Sequence, residues 1–221
     1  MAVTELAILT STNGELSGEL RKLLEQARPI QAAWHAENFP ALPSTPAERG
    51  DAMFQQMEDP RKILLTARWD SVAGHHQWIA SEDNKAIMAK LNSHIDSDDL
   101  VLFHLDSEIF SAPPPDGATG LVDSPVISVA RLMVAPNQRK NFGDKFEEVR
   151  NLLEDYAKPH LVRTGWRVDK EHDARDEFVV VCGWDTVQRH LDFAHTAEFL
   201  QYREILGFLD GSDIKHYQRF L

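Results

Sequence analysis

The chain contains one sequence pattern twice, and this internal repeat constrains its fold more than any other feature. Trp69-Asp70-Ser71-Val72 recurs as Trp184-Asp185-Thr186-Val187, a shift of 115 residues (184 − 69). With that shift and no gap, further pairs stay aligned: His75 with His190, Trp78 with Phe193, Ser81 with Thr196, Asp83 with Glu198, and Leu91 with Leu206. A period of about half the chain indicates two copies of one fold unit, since solenoid repeats are only about 20 to 50 residues long.

The composition excludes several classes of partner and site. Of the 221 residues, 43% are hydrophobic and 26% charged, which is ordinary for a globular protein. The formal net charge of −12 disfavours nucleic acid and anionic membranes as partners. The sequence has no basic leader at residues 1–6 and no run of about 18 apolar residues, so we expect a cytoplasmic protein without a membrane segment. Cys182 is the one cysteine, which excludes an intrachain disulfide and a thiolate metal cluster.

The second half of the chain has the pattern of a β-α-β-β-α-β unit. Residues 126–134 are rich in β-branched side chains and predict a strand, and apolar residues at three- and four-residue steps from Phe142 to Tyr156 predict a helix. A hairpin then joins strands at 161–168 and 178–183 through a charged turn at 171–176, followed by a helix that Asp185 or Thr186 caps and a strand at 214–221. This order is the ferredoxin-like supersecondary unit.

The first half repeats this order with larger insertions. Its predicted strands are 6–10, 53–57, 63–69 and 100–110, and its predicted helices are 16–39 and 72–95. Pro29 should kink or end the first helix, and the proline-rich loop at 40–46 is either a lid over a pocket or a surface insertion. We therefore divide the chain into a first unit at 1–110, a Pro/Gly-rich linker at 111–124 and a second unit at 125–221.

The residues that start the last helix of each unit carry a family resemblance. Trp-Asp-Ser-Val at 69–72, followed by His-His-Gln-Trp-Ile-Ala-Ser-Glu at 75–82, resembles the dimeric α/β-barrel superfamily, in particular its antibiotic-biosynthesis-monooxygenase-like and stress-responsive branches. The resemblance covers nearly the whole chain, once per half. It implies an α+β fold in which two ferredoxin-like βαββαβ units pack sheet to sheet as an intramolecular barrel, so that each sheet buries its free face. A homodimer of this pseudo-dimer stays open.

His76 is the first candidate catalytic residue. The second helix of the first half is predicted to bury a stripe that contains Val72, His76 and Ile79, whereas the second half has Leu191 in place of the histidine. A buried histidine must find a hydrogen-bond partner or face a pocket, where its pKa suits acid–base work. His75 and His190 occur in both copies, and we interpret them as a shared structural contact.

Arg131 and His104 are polar residues in otherwise apolar strands. Arg131 shares a strand face with Val129 and Met133, so its guanidinium needs an anion. That anion is either a substrate carboxylate, enolate or phenolate, or an acid from the other half of the chain. His104 lies on the same face as Leu102 in the last strand of the first half.

Aromatic and histidine side chains gather where each first helix ends, and they are candidate substrate-binding residues. Trp34 and His35 precede the proline-rich loop, Tyr156 and His160 hold a comparable place in the second half, and Trp166 lies in the following strand. An aromatic wall with a titratable group is typical of pockets for flat apolar ligands. Core packing at a helix end is the alternative.

Missing motifs narrow the function. The sequence has no Gly-rich phosphate loop, no G-x-S-x-G and no H-E-x-x-H, and it has no motif that assigns a haem, so we expect neither metal nor cofactor. The leading hypothesis is a cofactor-independent acid–base cyclase, dehydratase or isomerase of secondary metabolism, acting on a polyketide-like or aromatic molecule. One alternative is a cofactor-free monooxygenase that oxidises a phenolic substrate with O₂. Another is a non-catalytic small-molecule-binding barrel of the stress-related type.

Overall fold

The chain forms two compact units. The computed structural model describes residues 1–170 and 175–221, so most of the turn predicted at 171–176 lies outside the described residues. The first unit comprises Met1–Ala112 together with Arg219–Leu221, and the second comprises Pro113–Gln218. Within the described part of the chain, no helix is both long and apolar enough to cross a membrane.

The first unit is a βαββαβ unit whose second helix is divided in two. Its elements are β1 (Val3–Thr10), α1 (Gly18–Asn38), β2 (Ala52–Gln56), β3 (Lys62–Trp69), α2 (Val72–Ala80), α3 (Glu82–Leu91) and β4 (Val101–Leu105). The four antiparallel strands lie in the order β4-β1-β3-β2. Pro29 lies inside α1, which continues to Asn38, so of the two alternatives predicted for Pro29 the helix end is excluded.

Serine side chains determine where the helices of the first unit begin. The hydroxyl of Ser71 accepts a hydrogen bond from Gly74 N–H at the start of α2, and Ser81 does the same for Asn84 at the start of α3. The Ser81 N–H also donates to the Trp78 carbonyl, which ends α2. The single helix predicted at 72–95 is therefore two short helices.

The second unit repeats the same order of elements. They are β5 (Val126–Val134), α4 (Arg139–Ala157), β6 (Val162–Trp166), β7 (Asp176–Trp184), α5 (Val187–Phe193), α6 (Ala197–Tyr202) and β8 (Leu209–Arg219), whose last residue belongs to the first unit. The strand order is β8-β5-β7-β6, again antiparallel. Two ferredoxin-like units in an α+β chain are confirmed.

The repeat extends to the register of the strands. In the first unit Val3 lies opposite Trp69 and Glu5 opposite His104. In the second unit Val126 lies opposite Trp184, and Ser128 lies opposite His216. Glu5 and Ser128 therefore occupy equivalent positions, 123 residues apart (128 − 5), although the hairpins and second helices are offset by 115.

Each unit has its own apolar core between its helices and its sheet. In the first unit the core includes Leu20, Leu24, Ile63, Trp69 and Trp78. In the second it is more aromatic, with Phe142, Phe146, Phe178, Trp184 and Phe193 all buried. Full burial of one such side chain contributes roughly 1.5–3 kcal/mol, so each unit has a driving force of its own for folding.

The residues after β8 return to the first unit. Met53 N–H donates to the Leu221 carbonyl at 3.1 Å, and Phe220 N–H donates to the Met53 carbonyl at 3.0 Å. The guanidinium of Arg21 in α1 donates to the Phe220 carbonyl at 3.0 Å. The last three residues therefore cover the free edge of β2.

Candidate active site

An apolar cavity of about 290 Å³ lies in the first unit, lined by its sheet and its three helices. This is near the lower end of the volumes typical of small-molecule pockets, about 300–1,000 Å³. Most of the lining is apolar, including Ala7, Leu24, Met53, Trp78, Ile87 and Leu102. Four polar residues complete it, namely Glu5, Gln31, His75 and Asn84. A mostly apolar cavity with a few polar groups is the usual form of a site for a small organic ligand.

Glu5 places a carboxyl group at this cavity. The side chain lies on β1, and the residue is only 8% exposed. Its Oε2 accepts a hydrogen bond of 2.6 Å from the indole N–H of Trp69. Burial raises the pKa of Glu5 to about 7, against the opposing effects of the Trp69 hydrogen bond and the nearby His104. Near neutral pH this carboxyl can therefore both accept and release a proton.

Two buried histidines extend from Glu5 in a chain of hydrogen bonds. His75 Nδ1 lies 2.7 Å from His104 Nε2, and His75 Nε2 lies 3.4 Å from Glu5 Oε2. One assignment of protons satisfies both contacts: His104 Nε2–H donates to His75 Nδ1, and His75 Nε2–H donates to the Glu5 carboxylate. The His75 ring stacks on Trp69, with centroids 4.4 Å apart and an interplanar angle of 12°. Trp69 therefore contacts both Glu5 and His75.

The second unit holds the same arrangement without the carboxyl. His190 Nδ1 lies 2.8 Å from His216 Nε2, and the His190 ring stacks on Trp184 at 4.7 Å and 14°. The shared contact predicted for His75 and His190 is present in both units. Here, however, the indole N–H of Trp184 donates to the hydroxyl of Ser128 at 2.9 Å. The Trp–His–His arrangement is thus common to both units, and the acid at this position occurs in the first.

Of the three predicted catalytic residues, the structure places one in the hydrogen-bonded chain, one at the surface and one in an ion pair of the second unit. His104 is fully buried and belongs to the hydrogen-bonded chain. His76 was predicted to face the interior, and this is wrong: α2 buries its neighbour His75, while His76 is exposed, with its ring centroid 6.2 Å from that of His104. Arg131 lies on the face of β5 opposite to Ser128, where its guanidinium binds both carboxylate oxygens of Glu177 on β7. The anion that Arg131 binds therefore comes from its own half of the chain.

Trp34 and His35 lie near the cavity without lining it. Trp34 packs against Trp69 and Trp78, with centroids 6.4 and 5.2 Å away. His35 is buried, and its Nε2–H donates to the Arg68 carbonyl at 3.1 Å. Burial and the charge of Arg49 lower the pKa of His35 to about 4, so this ring is neutral near pH 7. Both residues support the tryptophans that border the site.

The three candidate binding residues of the second unit serve separate contacts. Tyr156 packs on Trp184 and Phe193, beneath the guanidinium of Arg189 at 3.8 Å. The ring of His160 bridges Ser124 and Asp185 at 2.9 and 3.0 Å. Trp166 packs on Phe142 and Phe178. The structure does not bring these three residues together around one cavity, and their role in binding stays a prediction.

Sequence reasoning missed Glu5. The shift of 115 that reveals the repeat aligns Glu5 with Gly120, because the connections between the first strand and the hairpin differ in length between the units. Only the strand register pairs Glu5 with Ser128. The available signal was an acid between Thr4 and Leu6 in an apolar strand, where burial of a carboxyl is costly.

No family model and no curated protein matches the sequence. Solved structures match it over nearly its whole length. An anthrone oxidase-like protein matches with a TM-score of 0.63 and 12% identity, covering 100% of this chain and 92% of that one. A protein from Lactobacillus acidophilus NCFM with a provisional monooxygenase assignment matches with a TM-score of 0.60 and 13% identity, covering 99% and 93%. The chain has the dimeric α/β-barrel fold.

A haem-binding protein from Thermus thermophilus shares this fold, with a TM-score of 0.58 and 7% identity, covering 100% of this chain and 92% of that one. Haem iron takes an axial ligand such as histidine. In this α/β barrel, however, the histidine that lines the first-unit cavity uses both ring nitrogens, one toward His104 and one toward Glu5. His160, beside a groove in the second unit, also engages both of its nitrogens. Neither place fits a haem bound through these histidines.

The described residues of the barrel form no cluster of three or more His, Cys, Asp or Glu side chains that could hold a metal ion. What the first-unit site does hold is a carboxyl group that titrates near neutral pH, two hydrogen-bonded imidazoles and an apolar space beside them. This set of groups can take a proton from a bound apolar molecule, store it and return it.

Proposed function

We propose that the first unit is a cofactor-independent enzyme that moves a proton on a flat, apolar small molecule, with Glu5 as the acid–base group. The observation that carries this proposal is a buried carboxyl with a pKa of about 7 at the edge of an apolar cavity. Acid–base catalysis is most effective when the pKa of the group lies near the working pH. Strongly perturbed titratable groups in clefts are also typical of functional sites.

In this mechanism ionised Glu5 takes a proton from an acidic C–H or O–H of the substrate. The indole N–H of Trp69 and the Nε2–H of His75 hold the carboxylate in place before the transfer. Trp78 and the aliphatic lining exclude water, so the carboxylate has few competing partners. The conjugated substrate then delocalises the negative charge, and a proton taken up from solvent at another atom completes cyclisation, dehydration or isomerisation, which leaves the abstracted proton on Glu5.

The cavity favours an aromatic or polyketide-like substrate of modest size. Its lining is dominated by aliphatic side chains and Trp78, which suit flat apolar rings. Gln31 and Asn84 supply two further polar groups, which suits a molecule that carries hydroxyl or keto groups. A volume of about 290 Å³ leaves room for few fused rings.

A cofactor-free monooxygenase is the second candidate, favoured by the provisional monooxygenase and the anthrone oxidase-like protein among the fold neighbours. It shares the first step, since a deprotonated aromatic substrate can react directly with O₂. For a methylene group the balance is R₂CH₂ + O₂ → R₂C=O + H₂O. Oxygen dependence therefore separates the two candidates.

The test is to incubate the protein with anthrone, hydroxynaphthalenes and aromatic β-polyketones under air and under argon, with product analysis by chromatography and mass spectrometry. We expect conversion by the wild type and by Ser128→Ala, and a loss of about 10²- to 10⁴-fold in Glu5→Gln. Conversion that survives argon supports acid–base chemistry, whereas oxygen-dependent conversion supports the monooxygenase. Ligand retention without conversion by the wild type would refute both and indicate a binding protein. His76→Ala, in the same series, should retain activity because His76 is exposed.

A further inference from the structure

A second, smaller cavity adjoins Glu5. It measures about 40 Å³ and shares Glu5, Gln31, Met53 and Leu65 with the apolar cavity. Its remaining lining is more polar and includes Arg28, Asp51 and Thr66. To hold a water molecule, a cavity needs roughly 10–15 Å³ of space open to the centre of that molecule, so this chamber has room for at least one. The polar groups that a buried water requires are present on its walls.

Asp51, which lines the small chamber, has one buried carboxylate oxygen without a hydrogen-bond partner among the described residues. Its Oδ2 is bound by Arg49, whose Nε and Nη2 donate at 3.2 and 2.8 Å. Arg49 is itself 1% exposed and donates from Nη1 to the carbonyls of Pro43 and Ser44, so it is held rigidly by the proline-rich loop. Asp51 Oδ1 is buried and has no hydrogen-bond partner among the described residues. Because an unpaired buried acceptor is costly, a chamber water is the partner that this geometry calls for.

Charges connect Asp51 to Glu5. Burial raises the pKa of Asp51 to about 6, Arg49 and Arg28 oppose this, and the charge of Glu5 adds to the rise. The charge of Glu5 therefore influences the protonation of Asp51. Around Glu5 itself the facing groups are Trp69, His75 and His104.

The segment that supplies Asp51 has no counterpart in the second unit. In the first unit 13 residues, 39–51, join α1 to β2, whereas in the second unit only four, 158–161, join α4 to β6. The unit that has an acid at the Glu5 position is thus also the unit with the Asp51 loop, and the unit with Ser128 lacks both. We therefore connect the function of the 39–51 segment with that of the Glu5 carboxyl.

We propose that Asp51 is the end of a proton path that starts at Glu5, passes through water in the small chamber and leads to solvent. This rests on the proposed function of Glu5. Protonated Glu5 gives its proton to a chamber water, which passes one of its own protons to Asp51 Oδ1. Once the carboxyl turns Oδ1 outward, Asp51, whose side chain is 15% exposed, releases the proton to solvent. Only O–H bonds form and break, and Glu5 returns to its ionised state for the next cycle.

The first arm of the test does not depend on turnover. The Glu5 carboxyl is followed by ¹³C NMR against pH, assigned by its absence in Glu5→Gln, in the wild type and in Asp51→Asn. We expect the apparent pKa of Glu5 to fall in Asp51→Asn, because a neighbouring negative charge is gone. Asp116 is an exposed carboxylate in the second unit, so Asp116→Asn should leave the apparent pKa of Glu5 unchanged. An unchanged Glu5 titration in Asp51→Asn overturns the proton path whether or not the protein is an enzyme.

The second arm compares the first turnover with the steady state on the substrate found above. In Asp51→Asn, assayed above pH 7 where Glu5 starts ionised in both proteins, the first turnover should keep its wild-type rate, while the steady-state rate should fall at least tenfold and recover with added formate. Equal losses in both, without rescue, would make Asp51 merely structural and overturn the proposal. Should Asp51→Asn fail to fold, Thr66→Val removes a polar wall of the small chamber without touching Arg49 or the apolar cavity, and the kinetic outcomes apply to it. A shifted titration in a protein that converts nothing would instead refute the proposed function, and the catalytic use of the path with it.

Discussion

Glu5→Gln should change how the stability of the protein depends on pH. Glu5 has a pKa of about 7 in the folded protein, against an ordinary value of 4.5. Between these two pH values the folded state holds a proton that the unfolded state has released, so the free energy of unfolding falls as pH rises. At 1.36 kcal/mol per pH unit, the interval corresponds to about 3 kcal/mol. Glutamine keeps the shape and cannot titrate, so the variant lacks this dependence.

The assay is urea denaturation of the wild type and of Glu5→Gln from about pH 4 to about pH 9, with the difference in unfolding free energy plotted against pH. The unfolding free energy of the wild type minus that of Glu5→Gln should fall by about 3 kcal/mol between pH 4.5 and 7 and stay constant below and above this range. Ser128→Ala, at the equivalent position in the second unit, removes the acceptor of the Trp184 indole N–H and should lower the free energy of unfolding by the same amount at every pH, so its pH dependence should follow that of the wild type. A difference that stays constant through this range would refute the assignment of a raised pKa to Glu5.

The duplicated architecture supplies matched pairs for two further predictions. Trp69→Phe removes the hydrogen bond that lowers the pKa of Glu5, so the Glu5 signal in a ¹³C NMR titration should move to higher pH, whereas Trp184→Phe should leave it in place. Ala7→Leu extends into the apolar cavity and should cost less than about 1 kcal/mol in urea denaturation while blocking an apolar fluorescent probe. Ala130→Leu, at the equivalent position against a packed core, should cost about 1–3 kcal/mol. Equal costs for the two leucines would contradict the presence of a cavity in the first unit.

The fold was predictable because its strongest signals are local. A tryptophan at the end of a strand, followed by Asp and a capping Ser or Thr, determines where a helix begins in both copies. Alternating and three- to four-residue apolar periods then separate strands from helices. These features depend on neighbours in sequence, so a single chain displays them without any alignment.

The buried face of α2 was not predictable in the same way. An apolar stripe followed from residue 72 to 95 assumes one continuous helix, and that assumption selected His76. The helix breaks at Ser81, whose backbone N–H ends α2 while its hydroxyl starts α3, so each short helix is free to turn its own face inward. As a result His75 is buried and His76 is exposed.

Glu5 was not identified from the sequence because the segments between the first strand and the hairpin differ in length between the two units. His104 was identifiable within its own strand, but its link to Glu5 depends on pairing between β1 and β4, which are about a hundred residues apart in the chain. The partner that reveals the significance of Glu5 is Ser128, at an offset of 123 and not 115 (128 − 5). Strand register is a property of the folded sheet, and unequal loops conceal it in the sequence.

The return of residues 219–221 to β2 has a consequence for synthesis. A ribosome makes β1 to β4 first, yet the edge of β2 gains its backbone partners only when Phe220 and Leu221 have emerged. The first of the two units to be translated therefore gains these partners only after the second has been made, and it is the unit that contains the apolar cavity beside Glu5.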